Sequence, residues 1–193
     1  MDYFVSRSGA RVTVRPLTKR DVPLMVDLFY HLSADSLYHR FHLSLDRLSE
    51  AEVKLRARTL AQVDQVNQVA LIALVDGKRG AQTAVAIARA HRLPGSLEAE
   101  AAVVVRDDFQ NQGIGLQLLK RLVNASVAVG ITTFKGYIQA ENRHMLHLLS
   151  KIGLQHTQVI EHAETYVLVQ LRPVPLDGNE TPAAAQAVAV MSP

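Results

Sequence analysis

The chain predicts an α/β fold in which helices flank a mixed, mostly antiparallel central sheet. Three observations lead there. Short apolar or alternating runs recur between turn residues, and stretches of helical period interrupt them. Their order is one strand, a group of helices, three strands, a helix, a strand, a helix and two strands. The length of 193 residues suits one domain with a sizeable core.

The first strand is Arg11 to Leu17, RVTVRPL, alternating before its proline. Thr18 then caps KRDVPLMVDLFYHL, where Val22, Val26 and Phe29 recur at helical spacing. Ser33 caps a second helix through ADSLYHRFHLSL. Ser49 and Glu52 form a capping box that opens a third, reaching about Val63. QVALIALVDGKRGAQTAVAIARAHRL reads as two strands around a turn at Asp76 and Gly77, and LEAEAAVVV as a third. A helix follows from about Gly113 to Val129, with Gly130 placed as its C-terminal glycine. Its apolar stripe is Ile114, Leu118, Leu122 and Val129, and Gln117, Lys120, Arg121 and Asn124 face water. TFKGYIQA makes a strand, ENRHMLHLLSKI a helix closed by Gly153, and about Gln155–Ile160 and Thr165–Leu171 the last two strands. Residues 1–172 form the expected domain, and 173–193, rich in Pro and Ala, a disordered tail.

Composition removes several function classes. There is no cysteine, so disulfides, thiolate metal sites and a cysteine nucleophile are excluded. No apolar run approaches the roughly 18 residues that span a bilayer, and the N-terminus lacks a signal peptide's apolar stretch. A cytoplasmic protein with no membrane partner is expected. A net charge of +3 is too small and scattered to imply nucleic-acid binding.

VVVRDDFQNQGIG carries the strongest functional signal. Gly113 and Gly115 stand between a strand and a helix, leaving free N–H groups at a positive helix N-terminus. A dinucleotide fingerprint needs a third glycine where Leu118 stands, and a phosphate loop of the Walker type needs Gly-Lys-Ser/Thr. Both are missing, so a phosphate bound here belongs to another ligand.

This stretch resembles the acetyl-CoA-binding motif of the GNAT N-acetyltransferases, Gln/Arg-x-x-Gly-x-Gly/Ala, carried here by Gln110, Gly113 and Gly115. YIQAENRHMLHLLSKIGL resembles the family's next strand and helix, with Asn142 at the usual asparagine. LSADSLYHRFH and AENRHML look most like the Pat-type protein lysine acetyltransferases. The likeness covers about Arg11 to Arg172. It implies a GNAT fold and acetyl-CoA as co-substrate. Val103, Val104 and Val105 would run beside pantetheine. Gln110, Asn111, Gln112, Gly113, Ile114, Gly115 and Leu116 would hold the pyrophosphate, and Asn142 would complete the cofactor site.

Acetyl transfer from a thioester needs a neutral amine. A lysine of pKa about 10.4 is neutral in roughly one molecule in 2,500 at pH 7, so a general base helps. Glu98 and Glu100, two apart, share one strand face, and Ala99, Ala101, Val103 and Val105 take the other. The resemblance points to Glu100 as the base, with Glu98 the runner-up. A strand amide near Val103–Val105 can polarise the thioester. Many GNAT enzymes place an acidic tyrosine seven residues after the asparagine, but Leu149 stands there and cannot donate.

His39/His42 and His144/His147 are i, i+3 pairs, and Glu141–His144 forms one Glu-x-x-His. A di-metal bundle needs two such motifs on four helices, so no metal is expected. Arg40 and Phe41 either shape the acceptor side or serve the helix core and rim. The expected reaction is direct attack of a primary amine, most simply a protein lysine, on acetyl-CoA in a ternary complex. A small-molecule amine as acceptor, or a non-catalytic acetyl-CoA sensor, are the alternatives.

Overall fold

The computed structural model describes residues 2–41, 49–77, 80–139, 142–161 and 164–176. Its strands are β1 (Asp2–Val5), β2 (Arg11–Pro16), β3 (Gln68–Asp76), β4 (Gln82–Arg92), β5 (Glu98–Val105), β6 (Thr133–Gln139), β7 (His156–Glu161) and β8 (Glu164–Gln170). They form one sheet in the order β1-β2-β3-β4-β5-β6-β8-β7. Only the β5–β6 pair is parallel among the described residues.

The helices are α1 (Val22–Tyr30), α2 (Ala34–Phe41), α3 (Glu50–Ala61), α4 (Ile114–Ala128) and α5 (Arg143–Lys151). One sheet face packs against α4 and α5 through Ala99, Val103, Phe134, Ile114, Leu118, Leu122 and Leu149. The other packs against α1, α2 and α3 through Ile72, Ile87, Val104, Met25, Phe29, Leu37 and Val53. Each large aliphatic side chain buried this way contributes about 1.5–3 kcal/mol. β5 therefore alternates as expected, Val103 to one core and Val104 to the other.

The helix starts follow local hydrogen bonding. The Ser49 N–H donates to Glu52 Oε2 at 2.7 Å and the Glu52 N–H to Ser49 Oγ at 3.3 Å, the expected capping box. Ser33 Oγ accepts from the Ser36 N–H at 3.2 Å and opens α2. Thr18 opens a 3-10 turn, Lys19–Asp21, before α1 begins. Asp21 is buried there, where it accepts from Arg15 at 2.6 and 2.8 Å and from Thr18. Burial opposes its ionisation, but those bonds outweigh it and hold its pKa below the ordinary value.

The structure departs from the sequence pattern at three places. β1 was not anticipated, because the four residues DYFV show no clear alternation and become a strand only by pairing with β2. That strand explains the second departure. Arg121, expected to face water, is 5% exposed and donates to both Asp2 carboxylate oxygens at 2.8 and 2.9 Å. Asn124, also expected outside, is half-buried and exchanges hydrogen bonds with the Val174 backbone at 2.9 and 2.8 Å. Val174 thus lies against α4, while 177–193 are outside the described residues.

Candidate active site

The site begins where the sheet comes apart. β5 and β6 pair at Glu98–Thr133, Ala99–Phe134 and Glu100–Lys135, and no further among the described residues. The Arg106 N–H donates to Val85 on β4, so by strand alternation the amides of Val103 and Val105 point toward the gap. A cavity of about 1000 Å³ fills it, lined by Ala101–Val105, the glycine loop, β6 and α5.

The loop at one end is built from a 3-10 turn, Asp107–Phe109, and the residues 110–113. Gly113 caps α4 with φ +85°, a left-handed conformation that favours glycine. Gly115 serves a different need. A Cβ there would lie 3.3 Å from Leu148 Cδ1 and 3.4 Å from Val105 Cγ2, so its bareness lets α4 sit close to β5 and α5. The N–H groups of Ile114, Gly115 and Leu116 in the first turn of α4 have no intrahelical acceptor. They form a donor cluster at the positive end of the helix.

At the other end, Glu100 is exposed and lines the cavity, directly across from His91 on β4. Glu98 is engaged: Lys135 Nζ lies 2.8 Å from its Oε2. That hydrogen bond raises the Lys135 pKa; burial opposes it, and the charges of Glu98, Tyr166 and Glu100 add smaller contributions to the rise. Asn142 caps α5, accepting from the Met145 N–H at 3.1 Å, and borders the same cavity. The structure therefore brings Glu100, Val103–Val105, Gln110, Asn111, Gly113–Leu116 and Asn142 around one space.

A family model described as an acetyltransferase (GNAT) domain matches residues 11–155. The chain belongs to the GNAT acetyltransferases. It is 26% identical over 149 residues to the acetyltransferase Pat of Mycolicibacterium smegmatis, covering 76% of this chain and 42% of that protein. The chain thus spans less than half the length of that relative. An acetyltransferase of Pseudomonas aeruginosa is 28% identical over 145 residues, 75% of each chain. The crystal structure of the GNAT domain of S. lividans PAT superposes with a TM-score of 0.74 at 25% identity, covering 88% of this chain and 96% of that one. The expected GNAT fold and the Pat-like resemblance are both borne out.

Within this GNAT domain, several residues of the loop end escaped the sequence reading. The Arg7 N–H donates to the Gln112 carbonyl at 3.0 Å, and its guanidinium lies beside Gly113. Ser8 Oγ donates to Gln112 Oε1 at 2.5 Å. Asp107 accepts from the Ser33 N–H at 2.8 Å, Ser33 Oγ at 2.6 Å and Ser36 Oγ at 3.0 Å, which ties the loop to the start of α2. Burial works against the Asp107 charge, yet these bonds prevail and lower its pKa. Gln110 turns its side chain inward, donating to Ser36 Oγ at 3.1 Å and the Val105 carbonyl at 3.2 Å. It braces the loop from behind. Only long-range folding brings the β1–β2 turn and α2 to this loop, so no local motif marks Arg7 or Asp107, and the cap motif at Ser33 does not show its bond to the loop.

Leu149 is buried in the core and offers no proton. His144 and His147 are exposed on α5. No group of three or more metal-ligating side chains is placed to hold an ion among the described residues. His42 and Glu141 lie outside the described residues, as do the side chains of His39, Arg40 and Phe41. No described helix is long and apolar enough to cross a membrane.

Proposed function

We propose that the cavity binds acetyl-CoA and that the protein transfers its acetyl group to a primary amine, that of a protein lysine, by direct attack in a ternary complex. The observation that carries this reading is the divergence of β5 from β6 immediately after Glu100. One open strand edge then faces the same cavity as the donor cluster of α4 and the carboxylate of Glu100.

The residues suit the ligand. The amides of the segment 111–116, with the guanidinium of Arg7 beside Gly113, suit a pyrophosphate. Gln110 holds that segment in shape. The open edge of Val103, Val104 and Val105 suits the amides of pantetheine, and Asn142 borders its far side. Acetyl-CoA supplies an acetyl group activated as a thioester. Glu100 accepts the proton that the attacking amine loses as its nitrogen bonds the carbonyl carbon. The amide of Val103 or Val105 donates to the carbonyl oxygen, where negative charge develops. The carbon–sulfur bond breaks, and the thiolate takes its proton from water, since Leu149 has none to give. The likeness to Pat supports a protein lysine as acceptor. A cytoplasmic setting accords with that chemistry. The domain boundary near residue 172 and the tail beyond it belong to the same reading.

Titration calorimetry with acetyl-CoA tests the first claim: micromolar binding is expected, and no binding at millimolar concentration overturns it. Incubation with labelled acetyl-CoA and cell lysate tests the second. Label on protein lysines supports the proposal, and label on small amines alone refutes the protein acceptor.

A further inference from the structure

The cavity does not stop at Glu100. It continues over the sheet face covered by α3, where Thr59, Leu60, Gln62, Gln68, Arg89 and His91 line it. The β4–β5 register sets His91 opposite Glu100 and Arg89 opposite Ala102, so Arg89, His91 and Glu100 share one face. Two residues along a strand, about 7 Å, separate the Arg89 row from the Glu100 row.

The company of Arg89 is unusual for this chain. Its Nη1 donates to the Leu60 carbonyl at 3.0 Å and its Nη2 to Gln68 Oε1 at 2.9 Å, both neutral acceptors. Among the described residues no carboxylate pairs with it. Three other arginines are matched: Arg15 with Asp21, Arg106 with Asp108 and Arg121 with Asp2. Arg92 also bonds to carbonyls, those of Val129 and Ser96, but it closes the end of α4 and does not line the cavity. Burial lowers the Arg89 pKa, with no opposing charge. A guanidinium has five N–H donors in a planar fork. Two neutral bonds fix its plane and leave donors for a ligand, and a carboxylate matches that fork best.

We propose that Arg89 forms a carboxylate subsite of the acceptor, so that the preferred substrate presents a carboxylate about one strand step from the amine delivered to Glu100. This rests on the acetyl-transfer reading above and deepens it. In a protein acceptor the carboxylate is an acidic side chain flanking the lysine; in a free amino acid it is the α-carboxylate. Glu100 draws the amine and Arg89 the carboxylate, so the two charges orient the acceptor.

The structural alternative is that Arg89 only closes the C-terminal turn of α3, whose last carbonyls need donors. Paired substrates separate the two. Acetylation rates are measured for two peptides alike except for Glu or Gln beside the lysine, and for free lysine against lysinamide. The wild type should favour the Glu peptide by about tenfold, mainly in KM, as a charge-assisted pair allows. Arg89→Gln should reduce that ratio to near one, Arg89→Lys should keep part of it, and the KM for acetyl-CoA should stay within twofold in both. A preference for free lysine over lysinamide, with no difference between the peptides, assigns the carboxylate to an amino acid. A wild type with no preference in either pair overturns the proposal even if the variants fail to fold. So does an Arg89→Gln protein with the wild-type ratio. Acetylation of all four substrates at equal rates would refute the subsite and leave acetyl transfer standing, whereas acetylation of none would refute the transfer itself.

Discussion

The two ends of the cleft are built on opposite plans. At the glycine-loop end the polar side chains of the loop are tied down within the protein, while the first-turn amides of α4 stay open. Gln112 is held by Arg7 and Ser8, Asp107 by Ser33 and Ser36, and Gln110 by Ser36 and Val105. At the other end the strand pairing stops, Glu100 is exposed, and Arg89 has only neutral partners among the described residues. The first end is ordered before any ligand arrives, so little conformational freedom is lost on binding there. The second leaves Glu100 exposed and gives Arg89 no carboxylate among the described residues, so both face a reactant. The contrast separates anchoring from chemistry, and substitutions at each end should fail in different ways.

The largest effect belongs to Glu100→Gln. It removes the base while leaving the loop untouched, so kcat should fall at least about a hundredfold, the usual range for general base catalysis. The KM for acetyl-CoA should change less than twofold. Steady-state kinetics across pH is the check: a variant as fast as the wild type throughout would remove Glu100 from the chemistry.

Gly115→Val should do the reverse. The new side chain meets Leu148 and Val105 at 3.3–3.4 Å from its first carbon and pushes α4 away from β5. Overpacking of this kind costs about 1–3 kcal/mol. The KM for acetyl-CoA should rise by about tenfold, with kcat at saturation nearly kept. Paired kinetics and thermal melting read both. A loss in kcat alone would mean that the loop takes part in the chemistry and the two ends are not separable.

Much of this contrast was legible in the sequence, because local rules govern its main parts. The alternation of LEAEAAVVV fixes which face Glu100 takes, and two glycines before an apolar helical stripe mark the loop. What escaped depends on distant segments. Arg121 has the spacing of a solvent-facing residue and is buried only because β1, itself unmarked, brings Asp2 to it. Asp107 sits in a loop and reads as a solvated acid until α2 delivers Ser33 and Ser36 to it. Gly115 reads as a phosphate-loop glycine, yet its bareness is explained by the packing of Leu148. Arg89 carries no motif, and that no carboxylate among the described residues pairs with it shows only in three dimensions.

Glu98→Gln tests how finely the reacting end is tuned. Glu98 is tied to Lys135, so it is not free to accept a proton from an amine. Its loss should change kcat by less than about threefold, far below the range expected of a base. A fall of a hundredfold in steady-state turnover would transfer the role from Glu100 to Glu98.

The smallest effect comes from the anchor, in Asp107→Ala, and it depends on pH. The folded-state pKa of Asp107 lies below its ordinary value of 3.8. Such a carboxylate stabilises the fold above the unfolded pKa, and that contribution is lost as pH falls through the folded one. Asp107 is largely exposed, so solvent screens its bonds and the contribution at neutral pH should stay below about 1 kcal/mol. Urea unfolding of the two proteins should therefore show a small gap at pH 6 that has closed at a pH well below the ordinary 3.8. If the gap is the same at both pH values, the charge of Asp107 is not what holds the loop to α2. The hydroxyls of Ser33 and Ser36 would then be bonding an uncharged acceptor equally well, and the loop end would owe its order to packing around Gly115.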